Sequence, residues 1–586
     1  MKELISKQLV RYLEGRGVEH VFGLCGHTNI AVLAALSESK INFVNTRHEQ
    51  VAAHIADGYA RAKRTTAVVL SHLGPGLTNA STGVANAALD SIPMVVIAGD
   101  VPSHYYGKHP HQEVNLHSDA AQSEIYRPFV KRVWRVERPD LFPEIVDKAF
   151  QLAESGRPGP VLVSVPMDIF SMEVDTALFE RLAHHTKVLH KPSIDEPTAE
   201  KIVRTLAEAR CPVIQAGGGV ILADAAEALR EFVDRMGIPV AHSLMGKGVM
   251  PDDHPLTLGM TGFWGTQFVN DKCRNADWVF GVGTRFAEAD CSSWEAEYTF
   301  SFPPTKLIHI DIDPNEIGRN FPVEIGVVTD LKQALVVLNR VAARLFPNGR
   351  PQPALADEIA RYRRDFAATR VAHERNDAFP MRPERILAAV REVLPRDAII
   401  TTDVGWNKNG VGQQFPIYTP GSILTPGGFA TMGFGAPAAI GAKLACPDRV
   451  VVALVGDGGF GQNPAMLATA AEQDVPVIWI VMNNNAYGTI AGLEMAHYGT
   501  AFGCVFRRRG EPYHVDFAAI ARAYGLDGVQ ITSAAGFKPA LEKAVASGKA
   551  CVIDVAMMNE PVPTAGHWNI MDIYSPGKKV HHASLA

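Results

Sequence analysis

The stretch VVALVGDGGFGQNPAMLATAAEQDVPVIWIVMNNNAYGTI, residues 451–490, constrains the fold more than any other part of this 586-residue chain. An apolar run, Val450 to Val455, ends in the acidic, glycine-dense turn Gly456-Asp457-Gly458-Gly459. A helix-like segment follows, then a second apolar run, Val477 to Met482, ending in Asn483-Asn484. Strand, turn, helix and strand in that order belong to an open parallel sheet, whose strands read as short continuous apolar segments. Carboxyl ends of neighbouring strands then lie side by side and form a ligand crevice. Asp457, Asn484 and the backbone carbonyl of Ala486 are expected to face one hard cation there. Oxygen ligands suit magnesium, which takes its remaining ligands from water and substrate phosphates. The glycines let backbone N–H groups approach those phosphates. The same letters also fit an ordinary βαβ unit in which Gly-Asp-Gly is only a turn and the asparagines cap a helix.

Far upstream, NFVNTRHEQVAAHIADGYARA (42–62) runs from a short apolar segment through Arg47-His48-Glu49 into an alanine-rich helical pattern. A glutamate in a first turn complements the helix dipole, which is sufficient reason for Glu49 by itself.

The spacing of GDG and Asn-Asn, 24 residues apart, resembles the thiamine-diphosphate motif. Further segments extend the likeness: SHLGPGLTNASTGVANAALDSIPMVVIAGDVP (71–102), His111-Gln112-Glu113, SGRPGPVLVSVPMDI, HIDIDPNEIGRN and GGFATMGFGAPAAIGA. Together they resemble the acetolactate-synthase-like superfamily, over nearly the whole length. That group includes acetolactate synthases, oxalyl-CoA decarboxylases, 2-hydroxyacyl-CoA lyases, benzoylformate decarboxylases and pyruvate oxidases. The resemblance implies thiamine diphosphate and Mg2+ as cofactors. It implies that Glu49 hydrogen-bonds the aminopyrimidine ring and promotes the tautomer that takes the proton from thiazolium C2. It assigns cofactor contacts to Gly405, Trp406 and Asn407, to Ala430 and Met432, and to Gly456, Asp457, Gly458, Gly459, Asn484, Ala486 and Tyr487. Met432 matches the bulky residue that wedges the two cofactor rings into a bent geometry; a gap-filling core methionine is the other reading.

Substrate choice turns on departures from the acetolactate synthase pattern. His111 stands where those enzymes usually show Phe, beside the matching Gln112 and Glu113, and Leu493 stands where a tryptophan is common. His111, Gln112 and Glu494 are the expected catalytic residues besides Glu49, with Glu494 as an acid/base or as a solvated helix glutamate. The preferred expectation is a 2-hydroxyacyl-CoA lyase, cleaving a short acyl-CoA to formyl-CoA and an aldehyde or ketone. The alternative is acetolactate synthase, and a third reading is a pyruvate-oxidase-like flavoenzyme. Relatives bind FAD, the ADP part of coenzyme A, or nothing in the middle unit. Gly217, Gly218, Arg285, Asp311 and Asp313 are the candidate nucleotide contacts, with ADP or CoA preferred over FAD. Arg507-Arg508-Arg509 reads as a phosphate contact or a solvated face.

The expected fold class is α/β, with three doubly wound domains and a lid-like tail. The domains are a pyrimidine-binding unit (1–183), a central unit (198–345), a diphosphate-binding unit (370–556) and the tail (557–586), with linkers at 184–197 and 348–358. The tail carries Trp568, Ile570, Met571, Ile573 and Tyr574, too apolar a set for a solvated end. A net charge of −6 argues against a nucleic-acid binder. Seven scattered cysteines without a CxxC pair suggest reduced thiols. No apolar run is long enough to span a membrane, and a cytoplasmic enzyme is expected. The resemblance also implies a homodimer that forms the active site, assembled as a tetramer.

Overall fold

Every strand in the three main sheets runs parallel to its neighbours. The computed structural model describes residues 1–184, 190–560 and 562–563. Each sheet has six strands. In the first, His20–Gly23, Asn42–Asn45, Ala67–Ser71, Met94–Asp100, Val133–Arg135 and Pro160–Pro166 lie side by side in the chain order 2-1-3-4-6-5. The third, built from Ile399–Thr402, Ile423–Leu424, Val451–Gly456, Ile478–Asn483, Asp527–Ile531 and Cys551–Ala556, repeats that order. The middle sheet is different: Val213–Ala216, Val240–His242, Thr257–Met260, Trp278–Val282, Lys306–Asp311 and Ile325–Val328 are ordered 3-2-1-4-5-6, the dinucleotide-binding arrangement. The expected three α/β domains are present.

Strands such as Met94–Asp100 and Pro160–Pro166 are buried at every residue, as continuous apolar runs covered on both faces should be. The first and third domains share one core, in which helix Glu49–Lys63 lies against helix Gly435–Ala445. Two glycines permit that approach. A Cβ at Gly58 would fall on the carbonyl oxygen of Ala438, and one at Gly441 on that of Ile55. A buried charge cluster locks the same boundary. Arg61 pairs with Asp57 at 2.6 Å and with Asp90 at 2.8 Å, and Asp90 accepts from the amides of Gly427 and Gly428 at 2.8 and 2.7 Å. Burying these ions is tolerable because each oxygen is hydrogen-bonded.

The middle domain has a core of its own. Its boundary lies beyond residue 345. Helix Pro353–Glu374 buries Ile359 in that core and stacks Tyr362 on Phe268 with ring centroids 4.0 Å apart. The expected linker 348–358 is therefore non-helical only as far as Gln352, because Pro353 opens the helix at its first position. All seven cysteines are free. Among the described residues no helix is long and apolar enough to cross a membrane.

Candidate active site

Strand Val451–Gly456 ends where Gly456 leaves the sheet, and Asp457 opens the short turn of helix that follows. The next strand, Ile478–Asn483, delivers Asn484 and Ala486 beside it. The Asn484 side-chain oxygen lies 3.0 Å from Asp457 Oδ1 and 2.9 Å from the carbonyl oxygen of Ala486, while its Nδ2 donates to Asn559 Oδ1 at 3.0 Å. Turning the amide over would make two N–H···O bonds at the first pair but would set two oxygens against each other at Asn559. A cation resolves the crowding without that exchange. Octahedral ligands at about 2.0–2.1 Å from magnesium stand about 2.9 Å apart along an edge, which is the spacing here. The three oxygens fit Mg2+. Burial pushes the Asp457 carboxyl up to about 6, a cost that a bound cation removes.

Asp403, at the end of strand Ile399–Thr402, organises the rest of this half. Fully buried, it accepts from the amides of Val404 (2.7 Å), Gly433 (3.0 Å) and Gly435 (3.0 Å), and burial raises its carboxyl to about 6. Met432 is thereby held half-buried beside Gly433, with Ala430 in a left-handed conformation at φ 50°. Gly405 has φ 121°, and Asn407, the second residue of the helix Trp406–Gln414, donates to the carbonyls of Asp403 and Leu454. Trp406 is buried with its indole N–H unpartnered among the described residues. Asp403 also faces Gly459, where a Cβ would lie 2.8 Å from its carboxyl carbon, and Gly458 lies under the Tyr487 ring. A cavity of about 400 Å³ opens beside Asp457, Gly458 and Tyr487, lined by residues of the third domain alone.

Glu49 sits in the first domain, at the start of its helix and 6% exposed. Its Oε2 accepts from Asn79 at 3.0 Å. Its Oε1 lies 3.4 Å from the place a Cβ would take on Gly76, with no protein donor among the described residues. That oxygen is free for a ring nitrogen, and Gly76 keeps the approach open. Gln112 is in the left-handed region at φ 65° and accepts from His72, while His111 faces His27. His72, His27 and Asn79 were not legible as site residues, because nothing in their spacing announces that the segments after two strands meet each other and the helix Gly74–Leu89.

Glu494 makes its hydrogen bonds within its own segment. It accepts from the Phe502 amide at 3.0 Å and contacts the Cys504 sulfur at 3.2 Å, tying helix Gly488–Tyr498 to the loop that follows it. Leu493, on the same helix, is half-buried. Arg507 and Arg508 form one side of an exposed two-residue hairpin.

A cleft of about 2470 Å³ runs along the middle domain and is lined by Gly217, Gly218, Arg285 and Asp311, among others. The glycines there also serve the fold. A Cβ on Gly219 would lie 2.7 Å from Gly283 Cα, and one on Gly218 3.0 Å from Met245 Cβ. Arg285 donates to the Leu89 carbonyl at 2.6 Å, and Asp313 pairs with Arg157 at 3.3 Å, both reaching into the first domain. Burial raises the Asp311 carboxyl to about 6. Of the expected tail, residues 557–560 and 562–563 are described; 564–586, with Trp568 to Tyr574, lie outside the described residues.

Known proteins resemble this chain over most of its length. Residues 5–121 match the N-terminal TPP binding domain of thiamine pyrophosphate enzymes, 199–338 their central domain and 403–555 their C-terminal TPP binding domain. A protein of Methanocaldococcus jannaschii named as a probable acetolactate synthase large subunit is 34% identical over 570 residues, covering 94% of this chain and 91% of that one. The acetolactate synthase isozyme 3 large subunit of Escherichia coli is 34% identical over 540 residues, covering 90% and 89%.

Proposed function

Because this chain belongs to the thiamine pyrophosphate enzyme family, we propose that it is a carboligase of the acetolactate synthase kind, releasing the carboxyl of one 2-oxo acid as CO2 and joining its acyl part to the carbonyl of a second. The observation that carries the cofactor half of this reading is the convergence of Asp457, Asn484 and the Ala486 carbonyl at octahedral edge distances. The relatives favour acetolactate synthase over the 2-hydroxyacyl-CoA lyase expected from His111, Leu493 and the tail, and nothing in them supports coenzyme A or ADP as a ligand.

When bound, thiamine diphosphate supplies the electron sink for breaking a carbon–carbon bond next to a carbonyl. Asp457, Asn484 and Ala486 would hold the magnesium that neutralises its diphosphate. The Asp403-ordered loop would present Met432 against the rings. Glu49 would hold a proton on the pyrimidine side, with Asn79 keeping its carboxylate in place. Gln112 would donate to a substrate oxygen.

Glu49 lines no part of the cavity beside Asp457, and that cavity draws no residue from the first domain. This supports a site completed by a second copy of the chain, with Glu49 of one copy serving the cofactor held by the other.

The test offers the purified protein thiamine diphosphate, magnesium and either pyruvate or a small 2-hydroxyacyl-CoA, with products read by mass spectrometry. Acetolactate from pyruvate is the expected result. Formyl-CoA from the thioester alone would overturn the carboligase reading and leave the cofactor site standing. A visible spectrum taken first would show flavin in the central cleft if the chain carries it.

A further inference from the structure

Three imidazoles meet at the carboxyl end of the first sheet. His27 follows the first strand, His72 the third, and His111 lies in the loop after the fourth. The His27 and His72 ring centroids are 4.8 Å apart, and those of His27 and His111 6.2 Å. His72 is buried and both of its nitrogens are used: Nδ1 meets Thr28 Oγ1 at 2.8 Å and Nε2 meets Gln112 Oε1 at 2.8 Å. With a carbonyl oxygen as the Gln112 partner, Nε2 carries a proton and donates to it. Thr28, His72 and Gln112 form one oriented hydrogen-bond chain.

Its end is the informative part. Gln112 is held at φ 65°, a conformation that an unbranched, non-glycine residue adopts only when its surroundings insist. Its NH2 group has no protein partner among the described residues, and neither do the exposed rings of His27 and His111. Glu49 is at the same place. A Cβ built on Gly76 would lie 3.2 Å from His72 Cβ and 3.4 Å from Glu49 Oε1, and one on Gly74 would fall on the Gln112 carbonyl. The cluster therefore borders the carboxylate assigned to the cofactor, and what it offers a ligand is a set of open polar groups rather than an apolar wall. Partial desolvation by the residues packed beside it and the two neighbouring imidazoles push the His27 ring below its ordinary range, towards the neutral form that both donates and accepts.

We propose that His72 is a positioning residue that presents the Gln112 amide to the substrate, and that with His27 and His111 it selects a 2-oxo acid whose variable group carries a hydroxyl or carbonyl oxygen rather than an alkyl chain. This inference rests on the carboligase reading. A site built to hydrogen-bond a substrate hydroxyl rejects the analogue that lacks it, because the site's own polar groups are then left unpaired.

Hydroxypyruvate and 2-oxobutyrate are the probes, since they differ by OH against CH3 at equal size. The holoenzyme should show kcat/KM at least about tenfold higher for hydroxypyruvate. His72→Leu, which removes both hydrogen bonds, should cut that ratio about tenfold; His72→Gln, which keeps a donor towards Gln112, should restore most of it. His27→Phe, at an exposed ring where folding is not at stake, should also lower the ratio. A ratio at or below one in the unaltered protein, or a ratio unmoved in folded His72→Leu and in His27→Phe, overturns the inference while leaving the carboligase reading intact. Consumption of neither probe while pyruvate still yields acetolactate overturns the inference alone; consumption of none of the three 2-oxo acids sinks both.

Discussion

Asn559 Oδ1 accepts the Asn484 amide at 3.0 Å, so a residue beyond the last strand of the sheet decides which end of Asn484 faces Asp457. Partners one step removed from a metal hold its ligands in orientation and typically account for 10–100-fold in affinity. Asn559→Ala should weaken magnesium-dependent binding of thiamine diphosphate by about that factor, measured by calorimetry, with the melting temperature of the cofactor-free protein unchanged. Equal affinity in the variant would mean that Asn484 is oriented by other groups.

Glu49→Gln keeps the shape and the Asn79 contact but cannot exchange a proton as a carboxyl does. Turnover should fall by at least about 100-fold, with cofactor affinity within a few-fold of the parent. Retained turnover would remove Glu49 from the proton path.

Asp457→Ala should lose both magnesium and thiamine diphosphate on gel filtration. Mixed with Glu49→Gln under conditions that let subunits exchange, it should regain activity that neither variant has alone. In a site shared between copies, one of the two sites in a mixed dimer contains neither substitution. A mixture as inactive as its components would place Glu49 and Asp457 in the same chain's site.

His54 is fully buried, stacked edge-on against Phe434 at 5.7 Å, and burial with the nearby Arg61 charge pushes its ring down to about 3. It stays neutral in the fold while the unfolded chain takes up a proton below about 6.5. The protein therefore loses stability as pH falls through that value, by about 1.4 kcal/mol per unit until the ring itself titrates. Urea midpoints of the parent and His54→Gln should converge on acidification from pH 7.5 to 5. A constant gap would show that the ring is already accessible to protons.

Much of this architecture was legible because parallel strands announce themselves: Val451–Gly456 and Ile478–Asn483 are bare apolar runs closed by Gly-Asp and by Asn. Adjacent strand ends then had to bring Asp457, Asn484 and Ala486 together. Asn559 was not legible, since it meets Asn484 across 75 positions and belongs to no motif. The Thr28–His72–Gln112 chain was hidden for the same reason, being drawn from three separate loops. The Glu494 contact was not legible either, since helix Gly488–Tyr498 turns that carboxylate back onto its own following loop.

Gly441→Ala sets a methyl group against the Ile55 carbonyl at the contact between helices Gly435–Ala445 and Glu49–Lys63. Overpacking of this kind costs about 1–3 kcal/mol, and more where backbone rather than a side chain must yield. Urea unfolding should report a loss of that size. A neutral result would mean the helices part freely.

That glycine contact also sets a tolerance. Side chains absorb a displacement by changing rotamer, but here two backbones meet with nothing compressible between them. The helix that begins at Glu49 and the helix that begins just after Met432 are indexed to each other like parts pinned through a common hole. Whatever small error accumulates elsewhere, the spacing between these two helices within one chain is machined by hydrogen atoms on Gly58 and Gly441.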